Sequence, residues 1–427
     1  MNAPQVTFVW NSAEWVLFFW VAARMKMTFV PLDPRIIEQG IDDYISRLVP
    51  SIIVVQDEAA ASTLEKVTSQ LQQLKVRICC AEYPASSWTS LSSLYLLEVD
   101  TKPFVESISP GQGIALIVFT SGTTSTPKGC CHTSANLWSE SYDYDPDKDR
   151  EIGEKWLIHT PTSHIFAVNN CLRSFRYGGT VVFASKTFDI HASLKALELH
   201  QCTRMSAIPT LVQGLLSLPK FPGKEKLALN YVTIGGTLIK EEDIQMCKRL
   251  GSNSVIQAYG MSEGAPITSW LRDDPLIKSG QYVPSPLLKL IEYLHIESYK
   301  LIMGYSYPGV GKALPGCLIR ICAPGSREVL AKNTPGELHI GGSSVISSYL
   351  KGAESDSFYI DQYGSWLKTG DQASIDDNGC LQILGRYKDL IIRGGENISP
   401  ATIEQCIGHI PGTFVSWSLQ SSKTLGP

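Results

Sequence analysis

The 427-residue sequence lacks an excess of either charge: 37 Lys and Arg face 41 Asp and Glu, a net charge of −4. So near neutrality there is no electrostatic footprint for a nucleic-acid backbone. No polybasic run is present to meet an anionic membrane surface either. Long apolar runs are missing as well. The stretch from Trp15 to Ala23 falls far short of the ~20 residues that a spanning helix needs. Glu14 precedes it where a signal peptide would carry basic residues, so it reads as a buried helix. Internal repeats and low-complexity tracts are absent, and the chain ends in neither Ser-Lys-Leu nor Lys-Asp-Glu-Leu. The 11 cysteines lack metal-site spacing: Cys79-Cys80 and Cys130-Cys131 are adjacent, and Cys317 and Cys322 have no second pair or nearby His to complete a zinc set. Buried free thiols imply a reducing compartment, hence an intracellular, cytoplasmic location.

What is present is enough apolar material for a large core: 44% of residues are hydrophobic and 18% charged, far from the composition of a disordered chain. The length allows roughly two to four domains. Short continuous apolar runs recur between Gly, Pro and Ser, among them Ile52–Val55, Ile114–Phe119 and Val181–Ala184. They read as strands buried on both faces. Helical patterns such as Asp189–His200 and Glu241–Leu250 lie between them, so the fold class is α/β with parallel sheets. After about residue 310 the texture becomes β-rich. Leu318–Cys322 and Gly336–Gly341 alternate, and Asp376-Asp377-Asn378-Gly379 is a hairpin-type turn.

Four segments carry chemistry. The first, Phe119-Thr120-Ser121-Gly122-Thr123-Thr124-Ser125-Thr126-Pro127-Lys128-Gly129, follows a predicted buried strand. Its glycines admit a close backbone approach, its hydroxyls donate and Lys128 adds charge, which is the inventory for holding a polyphosphate. It is not a Walker A loop, because Pro127 and Gly129 stand where that motif has Gly and Ser or Thr. By composition it could equally be a flexible loop. The second, Gln257-Ala258-Tyr259-Gly260-Met261-Ser262-Glu263-Gly264, reads as a loop after a strand ending at Ile256. It combines an aromatic to stack on a base with a carboxylate to hold Mg2+, or else carries an ordinary exposed loop glutamate. The third, Trp366-Leu367-Lys368-Thr369-Gly370-Asp371, offers a carboxylate for ribose hydroxyls or a turn-capping Asp. The fourth, from Gly385 and Arg386 through Tyr387 and Lys388 to Gly394-Gly395-Glu396-Asn397, has the composition of a charged hairpin.

In this order the four segments resemble the adenylate-forming (AMP-binding) superfamily of acyl- and aryl-CoA synthetases, nonribosomal-peptide adenylation domains and beetle luciferases. Asn11-Ser12-Ala13-Glu14, Phe29 to Pro34, Gly336-Glu337-Leu338 and Gly341-Gly342 match further motifs, so the resemblance runs from about Asn11 to about Glu404. It implies a large domain with two doubly wound parallel-sheet subdomains (1–110 and 111–310), a small β-barrel-like subdomain (311–386) and part of a C-terminal lid (387–427). It further implies that a carboxylate attacks the α-phosphate of ATP, giving an acyl-adenylate, and that a thiol, usually of coenzyme A, then displaces AMP.

The resemblance also assigns residues. Ser121, Gly122, Thr123, Thr124 and Lys128 would hold the triphosphate, and Glu263, with Thr124 nearby, the Mg2+. Gly235, Gly236, Thr237, Gln257, Tyr259, Gly260, Met261 and Ser262 would line the adenine and acyl pockets. Asp371 would bind ribose with Arg386 beside it, Lys388 would occupy the lid hinge, and Gly394-Gly395-Glu396 would face the pantetheine arm. The stretch Pro161-Thr162-Ser163-His164-Ile165-Phe166 resembles the form found in acyl- and aryl-CoA synthetases, with His164 as a gate at the acyl pocket. It lacks the acid that amino-acid-activating members use for the substrate ammonium. A fatty, short-chain or aromatic acid is therefore the expected substrate, since a buried unpaired charge is costly.

Three departures accompany the match. Ser125 stands where the family has Gly, Pro284–Tyr307 looks inserted, and both ends look cut. The family's late lid lysine has no counterpart, because Lys423 lacks the preceding Gly. Without that charge contact the thioester-forming rate of this chain is expected to be impaired. Three readings follow: an acyl-CoA ligase whose complete gene serves secondary metabolism, an adenylation module that loads a carrier protein in trans, and a non-catalytic nucleotide- or acyl-binding remnant. Peroxisomal targeting would fit a full-length form.

Overall fold

In the computed structural model, the residues described are 3–82, 87–97, 113–120, 127–141, 153–237, 239, 241–270, 309–353, 355–389, 391–393 and 396–398. The chain divides into two compact units. The first comprises residues 1–274, 313–318 and 340–367, and the second residues 275–312, 319–339 and 368–427.

Two seven-stranded sheets form the α/β part. The first contains β1 (Pro4–Phe8), β2 (Thr28–Pro31), β3 (Ile52–Val55), β4 (Val76–Cys79), β5 (Thr89–Ser90), β6 (Ile114–Phe119) and β7 (Gly129–Thr133), in the order β5-β4-β3-β1-β2-β6-β7. Its pairings are parallel except β6 with β7, where Phe119 faces Gly129. The second contains β8 (Lys155–Ile158), β9 (Thr180–Phe183), β10 (Arg204–Ala207), β11 (Tyr231–Gly235), β12 (Ser254–Met261), β13 (Gly264–Ser269) and β14 (Lys312–Ala313), in the order β14-β13-β12-β11-β10-β8-β9. Pairing is parallel from β9 through β12 and antiparallel between β12 and β13.

Helices α1 (Ala13–Arg24), α2 (Ile36–Gln39), α3 (Asp42–Leu48), α4 (Glu58–Ser69), α5 (Leu91–Tyr95), α6 (Ser134–Glu140), α7 (Ile165–Arg176), α8 (Ile190–His200), α9 (Pro209–Leu216) and α10 (Glu241–Leu250) connect these strands. Local sequence explains their starts. The Ser12, Asp57 and Asp189 side chains accept from backbone N–H groups of the first turns of α1, α4 and α8. Thr133 and Asn136 make a reciprocal capping pair on α6. The expected buried helix is α1, which places Trp15, Phe18, Phe19 and Ala22 in the core; Trp15 and Phe19 stack with ring centroids 5.7 Å apart. No described helix is long and apolar enough to cross a membrane. All ten described cysteines are free, and nine of them are buried.

The β-rich part contains β15 (Cys317–Cys322), β16 (Gly336–Gly342), β17 (Phe358–Asp361), β18 (Gly364–Ile375) and β19 (Leu381–Arg386), ordered β15-β16-β18-β17 with β19 on β18. In the first unit β17 pairs antiparallel with the start of β18; in the second, the end of β18 pairs antiparallel with β19. A separate hairpin, β20 (Ile391–Arg393) and β21 (Glu396–Ile398), follows. The predicted α/β body with a β-rich appendage is thus the fold observed. One expectation changes: the strand does not stop at Ile256 but runs to Met261, and Gln257–Gly264 forms one arm and the tip of the β12–β13 hairpin. The pairing of Gln257 and Ala258 with β11 holds this Gly- and Ser-containing stretch extended against its local preference.

Candidate functional site

Within the first unit the sequence-predicted groups gather at strand ends. The loop between β6 and β7 is closed at its base, where the Thr120 N–H donates to the Lys128 carbonyl at 2.9 Å. Arg47 braces the same place, donating to the Pro127 carbonyl at 2.8 Å while its guanidinium lies against the Phe119 ring. Lys128 therefore leaves the loop from a fixed point. Ser121, Gly122, Thr123 and Thr124 lie outside the described residues, as do Ser125 and the stretch Pro284–Tyr307.

Glu263 stands at the tip of the β12–β13 hairpin and is buried, only 6% exposed. An exposed loop glutamate is thereby excluded. Among the described residues, three donors engage this tip. The Tyr349 hydroxyl donates to Glu263 Oε1 at 2.6 Å, the Ile346 N–H donates to the Glu263 carbonyl at 2.9 Å, and His132 Nε2 lies 2.9 Å from the Ser262 carbonyl. Lys128 sits over the ring of the same Tyr349, its Nζ 5.6 Å from the centroid. Tyr349 thus joins the cation that ends the loop to the carboxylate at the hairpin tip. Sequence reading missed Tyr349 and His132, because their link to Glu263 arises from pairing between distant segments: Tyr349 forms an isolated antiparallel bridge with Cys130.

The other predicted positions line the neighbouring strand ends. Gly235 closes β11, and a Cβ there would meet the Ala258 carbonyl at 2.6 Å, so the two strands approach too closely for a side chain. Gly236 follows with φ +79°, a left-handed conformation natural to glycine, and Thr237 comes next. Gln257 is buried, Tyr259 donates weakly to the Met261 sulfur at 3.9 Å, and Gly260 packs against Ala265.

His164 is the residue just before α7 and reaches the surface. Surrounding protein lowers its pKa, with Asp33 opposing that effect and Arg35 reinforcing it. Asn11 fixes the approach to it: its amide donates to the Thr160 carbonyl and its oxygen accepts from the Thr162 N–H, both at 2.9 Å. The early Asn-Ser motif therefore holds the histidine-bearing segment across a separation of about 150 residues.

In the second unit Asp371 and Arg386 face each other across β18 and β19, with Arg386 Nε donating to Asp371 Oδ1 at 2.8 Å. Asp371 is buried and follows Gly370, whose φ of +73° turns the strand locally, while Arg386 is half-exposed. Lys388 lies in the short helical turn Tyr387–Asp389. Gly394 and Gly395 lie outside the described residues, and Glu396 opens β21.

Among the described residues no group of three or more His, Cys, Asp or Glu could hold a metal ion unaided. A magnesium ion ordinarily takes one or two carboxylates and completes its shell with substrate phosphates and water. A single buried glutamate, held by Tyr349 through one oxygen, fits that requirement.

The fold is that of adenylate-forming enzymes. ATP-bound MatB from Rhodopseudomonas palustris superimposes with a TM-score of 0.76 at 22% identity, over 97% of this chain and 74% of that one. Unliganded o-succinylbenzoate coenzyme A synthetase from Bacillus subtilis does so with a TM-score of 0.70 at 22% identity, over 96% of this chain and 77% of that one. The model of the AMP-binding enzyme family matches residues 6–350, and the chain belongs to that family. The chain is 26% identical over 404 residues to the indoleacetate–CoA ligase of Aromatoleum aromaticum, a match spanning 94% of this chain and 72% of that protein. It is 33% identical over 291 residues to the 2-succinylbenzoate–CoA ligase of Bacillus pumilus, spanning 68% of this chain and 52% of that protein.

Proposed function

We propose that the protein is an AMP-forming acid–thiol ligase, which activates a carboxylic acid with Mg2+ and ATP and passes the acyl group to coenzyme A. The observation that carries this reading is the meeting of Lys128 and Glu263 on Tyr349, which sets a cation and a buried carboxylate at neighbouring strand ends. In this reading Lys128 and the loop residues Ser121, Gly122, Thr123 and Thr124 hold the triphosphate. Glu263 and Thr124 take the Mg2+, which offsets charge developing on the phosphates. Gly235, Gly236 and Thr237, with Gln257 to Ser262, receive adenine and the acyl group, and His164 gates the acyl side. Asp371, an acceptor oriented by Arg386, is suited to ribose hydroxyls. Gly394 and Gly395 face the pantetheine arm.

The substrate in this reading is a fatty, short-chain or aromatic acid. Relatives named for indoleacetate and succinylbenzoate weigh toward the aromatic kind. The Pro161–Phe166 segment carries no acid for a substrate ammonium, which argues against amino acids.

ATP–pyrophosphate exchange over a panel of carboxylic acids tests the proposal. Exchange is expected with at least one aromatic or fatty acid, and Lys128→Ala and Glu263→Ala should each lower it about a hundredfold. Unchanged exchange in both variants would refute the site. Coenzyme A set against a pantetheinylated carrier protein identifies the acceptor.

A further inference from the structure

His132 on β7 and Glu140 on α6 are fully buried, and His132 Nδ1 lies 3.1 Å from Glu140 Oε1. Neither residue belongs to the four segments that suggested the chemistry. The other ring nitrogen, Nε2, is 2.9 Å from the Ser262 carbonyl, one residue before Glu263. A carbonyl oxygen can only accept, so Nε2 must carry hydrogen. Two bare lone pairs cannot face each other across the Nδ1–Oε1 gap, so one proton lies there too. It sits either on the ring with Glu140 ionised or on Glu140 with the ring neutral. In both states Nε2 donates to the hairpin tip, and the bond between Nδ1 and Glu140 fixes the orientation of the ring that donates.

The frame behind this pair is firm. The Asn136 amide on α6 donates to the Ser343 and Val345 carbonyls at 2.9 and 3.0 Å, which fixes the strand end whose Ile346 N–H holds the Glu263 carbonyl. We propose that the His132–Glu140 pair is a positioning device for the Ser262–Glu263 tip, setting where the Glu263 carboxylate meets the metal-bound polyphosphate. The proposal rests on the nucleotide reading above.

It predicts a specific order among substitutions. Glu140→Gln keeps a donor opposite Nδ1, so the neutral ring still donates from Nε2. Glu140→Leu removes that partner: the Ser262 carbonyl still favours hydrogen on Nε2, but Nδ1 loses its buried hydrogen bond and the ring that holds the tip is no longer fixed from behind.

The test is calorimetric titration of the full chain with ATP in the presence of Mg2+ and, separately, with a chelator. Amide exchange of the 254–269 hairpin is read without nucleotide. Glu140→Leu is expected to weaken Mg2+–ATP binding about tenfold, the cost of one buried charge-assisted hydrogen bond. Metal-free ATP affinity should stay within about twofold and hairpin exchange should quicken, while Glu140→Gln behaves as the parent does. Equal loss with and without Mg2+, parental affinity in Glu140→Leu, or an equal defect in Glu140→Gln would each overturn the proposal. If Glu140→Leu does not fold, Glu140→Met, nearer in length, carries the same expectations. A parent chain that binds ATP in neither condition fails the nucleotide reading itself. A parent that binds, with variants out of the expected order, fails only the positioning role.

Discussion

Gly264 follows the hairpin tip, and replacing it with Ala gives the sharpest geometric test of the site. A Cβ at this position would lie 2.6 Å from the Ser344 carbonyl oxygen and 2.9 Å from Ile267 Cδ1. An ordinary carbon–oxygen contact is about 3.3 Å, so roughly 0.7 Å must be found. Ser344 is buried between the two carbonyls that the Asn136 amide holds, so it yields little. The hairpin moves instead and carries Glu263 with it, stretching the 2.6 Å bond from Tyr349 beyond normal length. Overpacking of this kind costs about 1–3 kcal/mol of stability. A misplacement approaching 1 Å in a catalytic group is worth about a hundredfold in rate. Gly264→Ala is therefore expected to lower ATP–pyrophosphate exchange about a hundredfold with a modest drop in melting temperature. Gly214→Ala is the control: it meets only the movable δ-methyl of Ile190 at 2.5 Å within α9, so exchange should stay at the parental rate. Parental exchange in Gly264→Ala would refute the argument that the tip is fixed and that its position matters.

His159 follows β8 with a buried ring, and burial pushes its pKa from 6.5 down to about 4. The Ser206 backbone offsets a little of this, though neither ring nitrogen reaches a hydrogen bond of normal geometry. The folded chain resists a proton that the unfolded chain accepts, so this contribution is intact above pH 6.5 and is lost as pH falls to about 4. It amounts to about 3 kcal/mol, and urea unfolding at pH 5 and pH 7 should show a shallower pH dependence in His159→Phe than in the parent; equal dependence would contradict it. Tyr349→Phe removes a hydroxyl from a buried carboxylate and should cost about 2 kcal/mol, read from urea midpoints. Tyr349→Leu also removes the ring beneath Lys128 and should cost about 0.5–1 kcal/mol more on the same measure. Arg204→Met leaves the Glu154 carboxylate without its 2.7 Å partner and should destabilise by about 3 kcal/mol, whereas the double variant Arg204→Met/Glu154→Gln should recover most of that loss in thermal unfolding.

Local signals announced much of the fold. Ile52–Val55 and Ile114–Phe119 are continuous apolar runs, and each is a largely buried strand with the predicted limits, the first parallel to both neighbours and the second parallel to β2 and antiparallel to β7. Glu241–Leu250 is a helix with those same bounds, and the predicted Asp189–His200 helix is α8, which starts one residue later with Asp189 as its cap. Gln257–Met261 misled for a physical reason. Gly260 and the turn that follows at Ser262-Glu263 read locally as loop, yet 257–261 is flanked by β11 and β13, and long-range pairing overrides local preference. The site divides in the same way. Lys128 and Glu263 carry chemistry that a motif displays, whereas Tyr349, His132 and Glu140 matter through partners 86, 130 and 8 residues away. The eight-residue link alone is local, but it crosses from a strand to a helix and follows neither period. A tyrosine and a histidine at such separations look like ordinary core residues until the chain folds.

The positions of these less legible residues follow from the cost of burying a carboxylate. Glu263 lies on a two-residue tip, where backbone freedom is greatest and a buried charge is least easily accommodated. Each donor that reaches the tip comes from a different segment: His132 from β7, Ile346 from the chain after β16, and Tyr349 from the turn beyond it. Two of the three target backbone carbonyls rather than the carboxylate. They fix the place of the carboxylate without filling the coordination sites that a cation would use. Tyr349 touches the carboxylate itself, and it engages one oxygen while its ring faces Lys128. A tip built only for stability would be better served by an apolar residue in place of Glu263, since replacing a buried charge with packed apolar atoms is often neutral or stabilising. Holding the backbone from two sides while keeping a carboxylate in place is the arrangement expected when that carboxylate has a ligand to meet.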